Sequence, residues 1–258
     1  MKIKVVAIIQ ARTGSTRLQN KVLLNLEGKT VLDQVINRVK ASKLVDCVVV
    51  ATTINKKDLD IANACSKTKT SVYCGSENDV LDRYYQAAKL FQADHIVRIT
   101  ADCPLIDPKI IDQIIKLHLQ KKGDYTSNCT EVTYPDGEDV EVFTINTLFK
   151  IWKKAQLNSE REHVTKYIAN HPKEFKIINY RNSKNLSDKR WTLDEPADYE
   201  FIKIIYKNLY PVNKLFGMRD ILIFLKKNPK LEMINNKIIR NEGYIKSLKH
   251  DKVVKISK

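Results

Sequence analysis

Apolar residues in this chain come first as short continuous runs and later at helical spacing. Val5-Val6-Ala7-Ile8-Ile9 is the first run and reads as a strand buried on both faces. Val45 to Ala51 forms a second, Ser71 to Cys74 a short third, and Asp94 to Thr100 a fourth with apolar Ile96, Val97 and Ile99. Helical spacing fills the intervals near 30–42, 56–66, 78–92 and 108–121. Asp107-Pro108 opens the last of these, an N-cap residue followed by proline at the first helical position. Strands alternating with helices predict an α/β fold, a mostly parallel central sheet with helices on both faces.

After about residue 123 the rhythm changes. Tyr125 to Val132 and Val140 to Thr144 read as strands on either side of the turn Tyr134-Pro135-Asp136-Gly137. Helices near 145–155 and 160–170 and a strand near 174–180 follow, which predicts a small mixed subdomain over about 125–190. A helix is expected over 196–209 and a helical tail over 217–258. The chain therefore divides into a main domain over 1–210 and a basic helical extension over 211–258, without internal repeat or low-complexity segment.

Composition narrows the function classes. With 258 residues, 43% hydrophobic and 29% charged, the chain has the make-up of a soluble globular protein. No apolar run approaches the ~20 residues of a membrane span. Met1-Lys2-Ile3-Lys4 begins nothing like a signal peptide. Five scattered cysteines without Cys-x-x-Cys spacing argue against a disulfide framework or a zinc site, and the expected location is the cytoplasm. The net charge is +15, and residues 200–258 carry 14 Lys/Arg against five Asp/Glu. Nucleic-acid binding is one reading of that excess. Lysines set among Ile, Leu and Phe at helical spacing, as in Ile221-Leu222-Ile223-Phe224-Leu225-Lys226-Lys227, favour solvated faces of amphipathic helices instead. Attraction for acidic substrates fits both.

The segment Gln10 to Lys21 carries the most chemistry. It follows the first strand, and the carboxyl end of such strands is where open α/β sheets bind ligands. It offers Arg12, Arg17 and Lys21, while Thr13, Gly14, Ser15 and Thr16 are small enough for backbone N–H groups to approach an anion. The pattern suits a polyphosphate, although Gly-x4-Gly-Lys-Ser/Thr is absent; the plainer alternative is a solvated basic loop. Asp102 follows the fourth strand, and Asp194 in Trp191-Thr192-Leu193-Asp194-Glu195-Pro196 sits at a strand-to-helix junction. Each alone reads equally well as a helix N-cap. Beside the basic loop, the two suggest Mg²⁺ held between protein and substrate phosphates, since magnesium commonly takes one or two carboxylates plus phosphate oxygens and water.

These segments resemble the sugar-nucleotide cytidylyltransferases, including the synthetases that activate 3-deoxy-octulosonic acid and sialic acid, and most nearly the SpsF-like branch. The likeness runs through Gln10-Ala11-Arg12, Val49-Val50-Ala51-Thr52, Gly75-Ser76-Glu77-Asn78-Asp79-Val80-Leu81-Asp82-Arg83 and Arg98 to Ile106. It continues through Tyr134-Pro135-Asp136-Gly137, Arg161-Glu162-His163-Val164-Thr165 and Arg190 to Pro196, and reaches Asn235 and Arg240-Asn241-Glu242-Gly243. One departure is Gln19-Asn20, where the family commonly has Pro-Gly before the loop lysine; asparagine tolerates the left-handed backbone such a turn needs.

The resemblance implies a Rossmann-like nucleotidyltransferase (GT-A-like) fold and transfer of a nucleoside monophosphate, CMP from CTP in the first instance, to an acidic sugar, sugar phosphate or phosphonate. Arg12, Lys21 and Asp102 are then the catalytic positions. Ala11, Thr13, Gly14, Ser15, Arg17, Thr52, Ser76, Asp79 and Arg83 surround the nucleotide, and Asp102 and Asp194 hold the metal. Glu141 and His163 are expected beside the acceptor with Arg190 as cationic neighbour, unless Glu141 is simply buried against Arg161 or Arg190. A homodimer using the 125–190 region is expected, with no nucleic-acid or membrane partner. A nucleotide-sugar-dependent glycosyltransferase and a basic nucleic-acid-binding protein are the rival readings.

Overall fold

Alternate residues of the first strand enter opposite halves of the hydrophobic core. In β1 (Val5–Gln10), Val5, Ala7 and Ile9 pack towards α1 (Val31–Lys40) and α4 (Pro108–Lys121). Val6 and Ile8 pack towards α3 (Val80–Leu90) and α5 (Ile145–Lys154). All five are buried, as a strand at the centre of a doubly covered sheet requires. The structure, a computed structural model, describes residues 2–240, 248 and 251–254.

Around β1 lie β4 (Cys47–Thr53) on one side and β6 (His95–Thr100) on the other, both parallel to it, with β5 (Ser71–Gly75) parallel beyond β4. β8 (Glu141–Thr144) pairs antiparallel with β6. β7 (Tyr125–Ser127) pairs antiparallel with β8, and β9 (Ile177–Asn179) runs parallel to β7. The seven-stranded order is β5-β4-β1-β6-β8-β7-β9; a separate ribbon joins β2 (Asn25–Leu26) and β3 (Lys29–Thr30). The irregular segment after residue 123 thus extends the central sheet through β7, β8 and β9. α2 (Leu59–Lys67) completes the first-half helices, preceded by a 3-10 turn at Lys56–Asp58.

Three predicted elements change length for local reasons. The strand expected over 125–132 stops at Ser127. Asn128 leaves the ladder, its side chain donating to the Glu138 carbonyl at 2.6 Å and accepting from the Val140 amide at 2.9 Å. The helix expected over 160–170 splits into α6 (Asn158–Glu162) and α7 (Lys166–Asn170), because Val164 between them has φ +54°. The tail forms α9 (Met218–Lys227), and Pro229 ends that helix and opens a 3-10 stretch at Pro229–Met233. Residues 241–247, 249–250 and 255–258 of the expected tail lie outside the described residues.

α8 (Pro196–Leu209) and α9 bury Phe201, Ile202, Ile205, Ile221 and Leu225 in a third cluster with Trp191, Leu193 and Leu105, while Lys203, Lys207, Lys226 and Lys227 stay exposed. Arg38 of α1, 1% exposed, pins this layer down. It donates to the Phe216 carbonyl at 2.8 Å and the Tyr206 hydroxyl at 3.1 Å, with its guanidinium 4.2 Å from the Phe216 ring centre. Among the described residues no helix is long and apolar enough to cross a membrane.

Candidate active site

The carboxyl ends of β1, β4 and β6 open on one edge of the sheet, and the loop leaving β1 is built there from short-range contacts. The Ala11 amide donates to the Ala51 carbonyl at 3.1 Å, which continues the ladder by one residue. Thr13 then donates its backbone amide (2.7 Å) and its hydroxyl (2.6 Å) to one carboxylate oxygen of Asp58, whose other oxygen accepts from Thr53. Asp58 is 1% exposed. Burial pushes its carboxyl up, but the bonds from Thr13 and Thr53 outweigh that and hold it below the ordinary range. Lys57, paired with Glu77 at 3.2 Å, overhangs Gly14: a Cβ there would stand 3.1 Å from the lysine Nζ. Arg12 is exposed. Asn20 adopts the left-handed conformation (φ 52°, ψ 26°) and turns the chain into the 3-10 turn that begins at Lys21.

Lys21 reaches across the edge to both predicted acidic residues. Its ammonium lies 2.7 Å from Asp102 and 2.8 Å from Asp194. Neither aspartate caps a helix: Asp107 caps α4, and Glu195 is the N-cap position of α8. The two loops are joined directly, the Leu193 amide donating to the Asp102 carbonyl at 2.8 Å. Burial pushes the Asp102 carboxyl up, but the charge and hydrogen bond of Lys21 outweigh it and bring it down to about 2. For Lys21 burial acts to lower the pKa, and the two carboxylates outweigh it and hold the ammonium above its ordinary value. Arg17 adds bonds to Asp194 at 3.0 Å and Glu195 at 3.2 Å. Among the described residues no group of three His, Cys, Asp or Glu converges as a metal cage; the protein offers two carboxylates on one cationic centre.

On the β4–β5 side, several buried polar atoms have no hydrogen-bond partner: Gln10 Oε1, Thr52 Oγ1 and Arg83 Nε. Arg83 spends one guanidinium nitrogen on the Ser76 carbonyl at 3.1 Å, and its burial lowers its pKa. Asp79 caps α3 through the Asp82 amide at 2.8 Å and is held by Arg161 at 3.0 Å.

Beyond Asp102 a cleft of about 600 Å³ opens towards β7 and α7. Its floor is a buried ion pair. Arg98 and Glu141 are register partners on β6 and β8, and their side chains bond directly. Glu141 also accepts from Tyr125 at 2.7 Å and Thr165 at 2.6 Å. Glu141 and His163 both line this cleft, but the cation next to Glu141 is Arg98, neither Arg161 nor Arg190. Arg190 instead bonds Asp198 at 2.8 Å, Asp136 at 3.1 Å and Asp194 at 3.3 Å, on the Asp194 side of the site. Burial lowers the His163 imidazole pKa. The φ of +54° at Val164, a β-branched residue, costs about 1–3 kcal/mol and lets His163, Thr165 and Lys166 all border the cleft. Gly137 (φ +108°) lets the Asp136 turn press on Trp191 and Thr192, where a Cβ would come within 2.7 Å of their backbone. Burial, reinforced by the neighbouring Asp139 charge, pushes the Asp136 carboxyl up to about 7.

Residues the sequence reading passed over include Asp58, Arg98, Asp136, Asp198 and Arg240. Asp58 falls inside the helical interval read over 56–66, with nothing local to mark it. Arg98 and Asp136 lie inside recognised segments, with nothing local to single them out.

A basic loop facing two carboxylates across the carboxyl edge of a mostly parallel sheet is an arrangement for a nucleoside triphosphate, on a Rossmann-like nucleotidyltransferase fold. The chain belongs to the cytidylyltransferase family, whose model matches residues 6–219. A cytidylyltransferase of Leptospira borgpetersenii superposes with a TM-score of 0.86 at 39% identity, covering 90% of this chain and 97% of that one. An uncharacterized protein of Methanocaldococcus jannaschii is 40% identical, over 94% of this chain and 98% of its own length. The spore coat polysaccharide biosynthesis protein SpsF of Bacillus subtilis is 35% identical, over 86% of this chain and 94% of its own length. The activity is nucleotidyl transfer of the cytidylyltransferase type.

Proposed function

We propose that this enzyme transfers CMP from CTP, with Mg²⁺, to an acidic sugar, sugar phosphate or phosphonate and releases pyrophosphate, in the making of a surface polysaccharide or glycan. The observation that carries the reading is Lys21 between Asp102 and Asp194. An ammonium already stands where two hard oxygen donors converge, so the pair fits a divalent cation that takes its remaining ligands from phosphate and water. When bound, Mg²⁺ would neutralise charge on the triphosphate and on the departing pyrophosphate.

The chain's own groups do the rest. Arg12, Arg17 and Lys21 face the phosphates, while the Thr13 amide (on Asp58) and the Ser15 amide (on the Thr13 carbonyl) are spent on the loop's own shape. The orphaned atoms of Gln10, Thr52 and Arg83 offer acceptors and donors to the base. An acceptor oxygen in the 600 Å³ cleft attacks the α-phosphorus, and the bond to the bridging oxygen breaks in line, its electron pair leaving with pyrophosphate. Fixed cations stabilise the charge that grows on those oxygens, and holding two anions together despite repulsion supplies the remainder. A phosphate or phosphonate nucleophile is already ionised and needs only orienting by His163. A sugar hydroxyl must give up its proton as the new P–O bond forms, and His163, on the cleft wall with its imidazole pKa lowered by burial, is placed to accept it. The SpsF likeness supports a polysaccharide setting, and the resemblance to the acid-sugar synthetases supports an anionic acceptor.

The test is a screen of the four nucleoside triphosphates against pools of keto-sugar acids, sugar phosphates and phosphonates, read by pyrophosphate release. CTP with one pool is the expected pair. Release of a nucleoside diphosphate from a nucleotide-sugar would establish glycosyl transfer instead.

A further inference from the structure

Asp198 is fully buried, and every bond its carboxylate accepts is accounted for. Oδ2 takes Arg190 Nη2 and the backbone amides of Asp194 and Glu195, each at 2.9 Å. Oδ1 takes Arg190 Nε at 2.8 Å and the side-chain amide of Asn235 at 2.9 Å. The same Asn235 nitrogen donates to the Arg190 carbonyl at 3.0 Å. Asn235 therefore touches both residues that fix the Asp194 loop, one through its backbone and one through its carboxylate. It is 3% exposed and lies beyond the segment matched by the family model.

Asn235 comes from a strap, residues 228–240, laid over this side of the site. Glu232 ties the strap to Lys189 at 2.5 Å, and Arg240 ties it to Asp139 at 2.8 Å and to the Tyr134 carbonyl at 3.2 Å. Truncating Asn235 takes away one of the five donors to a carboxylate that has no exposure of its own. Without it, Asp198 must shift to rebalance its bonds, and the Asp194 amide is attached to the same carboxylate.

We propose that Asn235 is a positioning residue, its own amide bonds holding Asp194 in its metal-binding orientation through Asp198 and Arg190. The proposal rests on the reading of Asp194 as a metal carboxylate. Partners that orient metal ligands are commonly worth ten- to a hundredfold in metal affinity.

Calorimetric titration of the full chain with CTP, in magnesium and separately in EDTA, tests it without knowledge of the acceptor. In the wild-type protein magnesium should tighten CTP binding. In Asn235→Ala that gain should shrink by about tenfold or more while affinity in EDTA stays within about twofold. Lys189→Ala, which cuts the strap's ion pair but leaves Asn235, should keep the gain, and Asn235→Gln gives an intermediate value if the alanine variant does not fold. An undiminished gain in Asn235→Ala, or equal losses in magnesium and EDTA, overturns the proposal. So does an equal loss in Lys189→Ala. A wild-type protein that gains nothing from magnesium overturns the reading of Asp194 itself, and the positioning role with it.

Discussion

The amide and the hydroxyl of Thr13 end on one oxygen of Asp58, at 2.7 and 2.6 Å. The loop's shape is thereby set from the β4 side, by a buried carboxylate. Asp58→Ala strands two donors on Thr13 and one on Thr53. Stability should fall by about 3 kcal/mol in urea titrations, and CTP affinity by about tenfold in calorimetry, since each stranded buried donor costs about 1–3 kcal/mol. Unchanged CTP affinity in a folded variant removes Asp58 from any role in shaping the loop.

Lys21→Ala and Arg12→Ala separate charge stabilisation from folding. Each should lower turnover about a hundredfold or more, because contacts to developing charge are worth roughly 3–4 kcal/mol. Steady-state pyrophosphate release is the measurement. Near-normal kinetics in both variants would falsify the assignment of the loop cations.

Glu141→Gln leaves Arg98 buried against a neutral amide. Breaking such a pair commonly costs about 3–5 kcal/mol, so the denaturation midpoint should drop clearly. Because the pair lies in the cleft proposed for the acceptor and away from the loop after β1, the CTP dissociation constant should hold while acceptor KM rises. Parallel loss of both affinities assigns Glu141 to the framework alone.

Acid should weaken the fold through His118. Its ring is buried between His95 (3.0 Å) and Thr126 (2.9 Å); burial, then the His95 charge, pushes it down to about 4. Unfolded histidine titrates near its ordinary 6.5. The neutral folded form is therefore at no disadvantage above that pH. As pH falls from there towards 4 the unfolded chain takes up a proton that the folded chain refuses, and stability drops. The loss should be about 2 kcal/mol between neutral pH and pH 5. Urea midpoints across that interval measure it, and His118→Gln should flatten most of the slope.

Light scattering at micromolar concentration should return twice the 29.8 kDa chain mass, with the 125–190 region at the interface. A fully active monomer rules the dimer out.

Much of this was legible wherever the signal was local. The apolar run of β1 and the Asp107-Pro108 helix start each carry their own stereochemistry and formed as read. The small residues after β1, read as leaving amides open to an anion, instead spend those of Thr13 and Ser15 on Asp58 and the Thr13 carbonyl. Asn20 took the left-handed turn that its composition allowed. What stayed hidden depends on register and on distance. Arg98 meets Glu141 only because β8 runs antiparallel to β6 in one particular register. Arg190 was read as a partner of Glu141, but its direction is set by the Asp136 turn and by Asp198, which no spacing rule connects to it. The over-long tail helix ignored Pro229, whose ring cannot follow a helical residue without strain.

The bridge at Lys21 links residues 81 and 173 positions apart in the chain. Contacts of such high contact order form only after most of the loop-closure entropy has been spent. No fragment containing the first loop alone can assemble the site, however well that loop folds. Catalysis in this protein is consequently a reporter of the completed topology, and its recovery on refolding should follow the slowest long-range step and not the appearance of helices.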